Sequence, residues 1–144
     1  MIVTFCGHSD FIETIEYEKE VLEILENEIG YDKAEIFLGE YGAFDAFAYK
    51  CSAKFKVNHP NVSLIFVTPY LSNISNDKTN RFDEIIYPDL EGVPKKFAIT
   101  YRNKYMTEKA DIVIAYINRA HGGAYESYKV AIRNKKKIYN LSEK

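Results

Sequence analysis

The sequence has no tryptophan and only two cysteines, four prolines and seven glycines among its 144 residues. Two cysteines, Cys6 and Cys51, both set in apolar runs and without metal-ligand spacing, exclude a disulfide-stapled scaffold and read as reduced core thiols of a cytosolic protein. A strong charge of either sign is also missing. Nineteen Lys and Arg against 21 Asp and Glu leave a formal net charge of -2, which argues against a nucleic-acid coat, since neutralising many phosphates needs a basic face. The single basic run, Lys135–Lys137, is short and falls at the end of an expected helix, where it complements the dipole. No apolar run approaches the ~18 residues that a membrane span needs, and Met1 leads into Ile-Val-Thr-Phe-Cys without a basic leader, so neither a membrane nor a secretory route is expected. The Asn-x-Ser triplets at Asn61, Asn73 and Asn140 therefore carry no glycosylation signal.

What is present is a large stock of tyrosine and phenylalanine, 12 and nine residues, in a chain that is 47% hydrophobic and 28% charged. That is enough to bury a core, and one domain over residues 1–144 is expected. Short β-branched apolar runs alternate with amphipathic stretches. Strands are predicted at Ile2–Cys6, Glu35–Leu38, Ser63–Tyr70, Glu84–Tyr87, Asp111–Ile117 and Lys137–Leu141. Helices are predicted at Phe11–Ile29, with Ile15, Leu22, Leu25 and Ile29 on its apolar side, and at Ala43–Phe55. Two more follow, from a first-turn Pro94 to Lys109 and from Ala124 to Asn134, the last with Tyr128, Ala131 and Ile132 facing the core. The polar stretch Leu71–Phe82 reads as a long loop suited to a mobile lid. Alternation of this kind specifies an α/β fold, a Rossmann-like three-layer sandwich with a mainly parallel central sheet, in which ligands bind beyond the carboxyl ends of the strands.

The residues expected at those ends are Gly7, His8, Ser9 and Asp10; Gly39, Glu40, Tyr41, Gly42 and Asp45; Thr68, Pro69 and Tyr70; Tyr87; and His121 through Glu126. Three glycine turns fall on one edge. Gly122-Gly123, between a strand and a helix, lets backbone N–H groups approach an anion in the favourable field of the helix dipole. His8 and His121 each follow a strand and are expected to face each other across the cleft as ligand donors, the alternative being an acid/base pair. Asp10 and Asp45 each stand early in a helix, where capping accounts for them; Asp45 is equally suited to accept hydrogen bonds from ribose hydroxyls. The three histidines show no ligand spacing with carboxylates, so no metal is expected, and no cofactor is called for. Cys6 reads as a core thiol and not as a nucleophile activated by His8.

Gly7-His8, the run Gly39-Glu40-Tyr41-Gly42-Ala43-Phe44-Asp45, and the series Arg102-Asn103, Met106, Ala110-Asp111, Ile114-Ala115 and His121-Gly122-Gly123-Ala124-Tyr125 together resemble the SLOG superfamily. That group joins the DNA-processing proteins of the Smf and DprA type, the Lonely Guy phosphoribohydrolases and stand-alone sensor domains, some of them in phage defence. The resemblance implies a site for AMP, ADP-ribose, an NAD derivative or a cyclic nucleotide, built from Gly7, His8, Gly39, Tyr41, Gly42, Asp45, Thr68, Arg102, Asn103 and the run His121, Gly122, Gly123, Ala124, Tyr125, Glu126. It also implies pairing into a homodimer or larger homo-oligomer, and the reduced cysteines make the expected location cytoplasmic. Arg102 stands where the enzymes have a catalytic arginine and is expected on phosphate, the alternative being a surface pair with Glu108 or Asp111. The enzymes' Pro-Gly-Gly-x-Gly-Thr-x-x-Glu motif is altered: His121 replaces its proline, Tyr125 its third glycine and Lys129 its glutamate. An N-glycosidase would have to use Arg102 with Glu126 instead, and a lysine beside the anomeric carbon opposes that chemistry. Sensing or sequestering a nucleotide-derived molecule is the expected role, ahead of phosphoribohydrolase activity and ahead of single-stranded DNA handling.

Overall fold

Apolar residues on both faces of the short strands drive them into the middle of a sandwich, and the computed structural model, which describes residues 1–71 and 74–143, shows how. In chain order the elements are β1 (Ile2–Gly7), α1 (Ile15–Glu28), β2 (Ala34–Leu38), α2 (Ala43–Val57), β3 (Val62–Val67), α3 (Asn76–Arg81), β4 (Glu84–Ile86), a 3-10 turn (Lys95–Phe97), α4 (Ala98–Lys109), β5 (Ile112–Tyr116), α5 (Gly123–Arg133) and β6 (Lys137–Asn140). All pairings are parallel, and the sheet runs β4-β3-β2-β1-β5-β6.

Strand alternation sorts the core into two halves. On one face Val3, Phe5, Ile36, Leu64 and Ile114 meet Val21 and Leu25 of α1 and Phe44, Phe47 and Cys51 of α2. On the other, Cys6, Val113 and Ala115 meet Ala131 of α5, and Phe37, Ile65 and Val67 meet Met106 of α4. The buried Thr4 on this second face donates its hydroxyl to Phe37 O at 3.0 Å, which removes the cost of burying it. From β1 the chain steps outward through α1 and α2 to β2, β3 and β4, then returns through α4 on the opposite face to β5. Crossovers of one hand that reverse direction must change face, and the reversal lies between β1 and β5. Their register, Cys6 opposite Ala115 and Gly7 opposite Tyr116, ends the two strands level, so the turns that follow open side by side.

Several local expectations are corrected. The first helix begins at Ile15, not Phe11, because the Thr14 hydroxyl caps it by accepting the Tyr17 N–H. Phe11 instead fills the core against Phe44, Phe47, Tyr17 and Tyr116, and Ile15 is exposed. The expected lid contains α3, capped by Ser75, with Arg81 held by Asp77 and Glu40 and the Tyr49 hydroxyl donating to Arg81 O; Ser72 and Asn73 of that stretch lie outside the described residues. β3 stops at Val67 because the Thr68 hydroxyl turns the chain through Tyr70. Pro94 precedes a 3-10 turn and is not in the first turn of α4. On α5 it is Ser127, Val130 and Ala131 that are buried, and Ile132 is exposed.

Candidate functional site

A cavity of about 200 Å³ opens at the reversal point. It draws Gly7 and His8 from the end of β1, Tyr41 and Asp45 from the turn into α2, Asn103 from α4, and Gly122, Gly123 and Ala124 from the start of α5. The three glycine turns do different things there. A Cβ on Gly7 would meet the Phe44 ring at 2.3 Å, so that glycine is required by core packing. Gly42, at φ 94° and ψ 177°, would place a Cβ 2.7 Å from that of Ser9. Gly122, at φ 99° and ψ 170°, and Gly123 have nothing within 4 Å of a would-be Cβ, which leaves the N-terminus of α5 open to an approaching anion.

A polar cluster centred on a buried arginine borders the cavity. Arg102 is 2% exposed, so it is neither the surface arginine nor an arm over the sheet edge. Its Nη1 donates to Val67 O and its Nε to Asn103 Oδ1, both at 2.8 Å. Asp111 is engaged elsewhere, accepting the Ile2 N–H at 2.8 Å. The Asp45 Oδ2 accepts the Tyr41 N–H at 2.9 Å, as a carboxylate in the first turn of a helix does. The Asp45 carboxylate and the Arg102 guanidinium face one another across Gly39, whose Cβ would lie 3.1 Å from the first and 3.2 Å from Cζ of the second. Burial pushes the Asp45 carboxyl up to about 6, although the Tyr41 N–H and the Arg102 charge pull the other way. Burial likewise lowers Arg102 below the ordinary arginine range, with the Asp45 charge opposing.

His8 is also turned inward. It is 3% exposed, its Nε2 accepts the Asn118 N–H at 3.3 Å, and burial, followed by the Arg119 charge, lowers its pKa. It therefore serves as a neutral tie between the two turns that flank the cavity. His121 is exposed and does not line the cavity, although it stands near enough for its charge to act on His8. The cation on the cavity wall is Arg119, which sequence reasoning passed over; its Nη2 donates to Asp10 Oδ1 at 3.0 Å. Asp10 thus has a partner across the cleft and caps no helix. The signal available was position alone, since Arg119 follows β5 in the turn that leads to Gly122.

Burial, rather than any activation by His8, holds the Cys6 thiol at about 12. Tyr125 and Glu126 fall away from the cavity: the Tyr125 ring packs toward Tyr128 beneath the Lys129 ammonium, and Glu126 pairs with Lys129 at 3.1 Å. The carboxylate on the cavity wall is Asp45.

Thr68 and Arg102 line a second cavity of about 220 Å³ beside the first, together with Tyr70 and, from α3, Lys78. Tyr41 and Ile99 belong to both cavities. Lys78 lies 3.7 Å from Glu40 Oε2 and 4.8 Å above the Phe66 ring, a cation that no turn motif announces.

Strand order and cavity position define a doubly wound α/β protein with its crevice at the topological switch point. Among solved structures the chain is similar to DNA processing protein A (DprA) from Streptococcus pneumoniae, with a TM-score of 0.64 at 16% identity, over 96% of this chain and 49% of that one. The chain thus spans about half the length of that protein, and the likeness is one of fold. No protein-family model and no curated protein sequence matches the chain.

Proposed function

We propose that this is a SLOG-type protein that binds a nucleotide-derived small molecule in the switch-point cavity, as a sensor or a sequestering protein. The observation that carries the reading is the convergence of an unobstructed helix N-terminus, Gly122-Gly123, with the Arg119 guanidinium on one cavity wall. Backbone N–H groups and a planar guanidinium are the donors that phosphate oxygens select. Tyr41 supplies a ring at the same cavity, 64% exposed and free to lie against a base or ribose. Asp45 is placed to accept a ribose hydroxyl.

Binding is favoured over cleavage because Glu126, the carboxylate an N-glycosidase would borrow, is paired with Lys129 outside the cavity. Calorimetry with AMP, ADP-ribose, NAD and cyclic nucleotides tests the reading. At least one member is expected to bind, with Arg119→Ala weakening it by about tenfold or more, and the same mixtures should contain no released base. Failure of every ligand, or affinity indifferent to Arg119→Ala, overturns the proposal.

A further inference from the structure

We propose that the ligand is a two-part nucleotide, a nucleoside phosphate joined through its phosphate to a second sugar or nucleoside, laid across both cavities with the second part seated against Tyr70 and Lys78. The inference rests on the nucleotide reading and narrows its substrate class. Ligand sites usually enclose ~300 Å³ or more. Neither cavity reaches that size alone, at about 200 and about 220 Å³, whereas the two together do.

They adjoin, since Tyr41 and Ile99 stand in the walls of both. They are also joined by a hydrogen bond: Arg102 borders the second cavity, Asn103 the first, and the Arg102 Nε donates to Asn103 Oδ1 at 2.8 Å. That bond turns the Asn103 carbonyl inward and leaves its Nδ2 as a donor. The buried guanidinium thereby acts as a positioning group and fixes one wall of each cavity at once.

The second cavity has its own chemistry. Phe66, Pro69, Tyr70 and Ile99 give it an apolar and aromatic wall, Arg102 stands at its base, and Lys78 shares the Glu40 carboxylate with Arg81 at its edge. A mononucleotide seated at Gly122 and Arg119 would leave the half-exposed Tyr70 and Lys78 uncovered. A second sugar or nucleoside, with the linking phosphate passing Tyr41, would cover the aromatic wall and bring negative charge between Arg119 on one side and Lys78 on the other.

AMP and ADP-ribose differ by the second part alone, and calorimetry of both on the wild-type protein, Lys78→Ala and Tyr70→Ala tests the inference. ADP-ribose is expected to bind at least about tenfold more tightly than AMP. Each substitution, at a rim position that leaves Tm near the wild-type value, should bring ADP-ribose close to the AMP affinity while AMP itself changes by less than about twofold. Equal affinity for the two ligands, or equal weakening of both by the substitutions, overturns the two-part ligand and leaves the nucleotide reading standing. Absence of binding by both ligands overturns the nucleotide reading and this inference with it.

Discussion

Gly39 is the residue that allows an acid and a base to face each other inside the protein, since any side chain there would occupy the space between Asp45 and Arg102. The pair is not a simple gain. Desolvation outweighs the attraction at Asp45, whose carboxyl rises from 3.8 to about 6. A raised acid binds its proton more tightly in the folded state than in the unfolded one. Its contribution to stability is therefore fullest below pH 3.8 and is lost as pH rises through about 6. Asp45→Asn, which keeps a carbonyl for the Tyr41 N–H, should be more stable than wild type at pH 8 by about 1–3 kcal/mol. The difference should shrink toward zero at pH 4. Denaturant unfolding of both proteins across that range measures it, and parallel pH profiles would show that Asp45 is not the group responsible.

At the scale of elements, α2 and α5 begin in the same way. Gly42 and Gly122 are their N-caps, with nearly the same φ and ψ, and the two glycine carbonyls accept the N–H of Ala46 and Glu126. That backbone region is almost closed to other residues, at a cost of about 1–3 kcal/mol. Surroundings then separate the two. Gly122→Ala should lose about that amount by denaturant unfolding and no more, because nothing surrounds it; Gly42→Ala should lose more, because the new methyl overlaps Ser9. Equal losses would mean that the Ser9 turn yields without cost. The expected helix start at Phe11 and the expected unbroken loop at 71–82 fail for a related reason. Periodicity marks which residues are apolar, but a hydroxyl at Thr14 or Ser75 decides where a helix starts, and a ring such as Phe11 can be buried without belonging to a helix.

Across the whole molecule, stability is distributed by the sheet. β1, β2, β3 and β5 are paired on both sides, whereas β4 has three residues at one edge and α3 buries none of its six. Native-state hydrogen exchange should find the slowest amides in β1, β2, β3 and β5 and the fastest in α3 and β4. Protection of α3 equal to that of β1 would contradict this order. The same gradient places the second cavity, bordered by α3, at the adaptable end of the protein and the first cavity on its most rigid strands.

Much of this was legible in the chain itself. Short β-branched runs between amphipathic stretches specify a parallel sheet covered on both faces, because only burial on both sides makes such strands favourable, and the glycines beyond β1, β2 and β5 mark the edge that carries the turns. Among the described residues no helix is long and apolar enough to cross a membrane. What the glycines are for was decided only by tertiary structure. Gly7 yields to the Phe44 ring, Gly39 to an acid and a base, Gly42 to Ser9, and Gly122 to open space. One residue type carries all four roles because the absence of a side chain is defined by whatever neighbour the fold brings up to it. The charged residues follow the same rule: Arg102 and His8 turn inward, Arg119 and Lys78 reach the cavities, and Glu126 is drawn off by Lys129. Local sequence sets the type of each group, but desolvation and partner geometry, which exist only once distant segments meet, decide where its charge is spent.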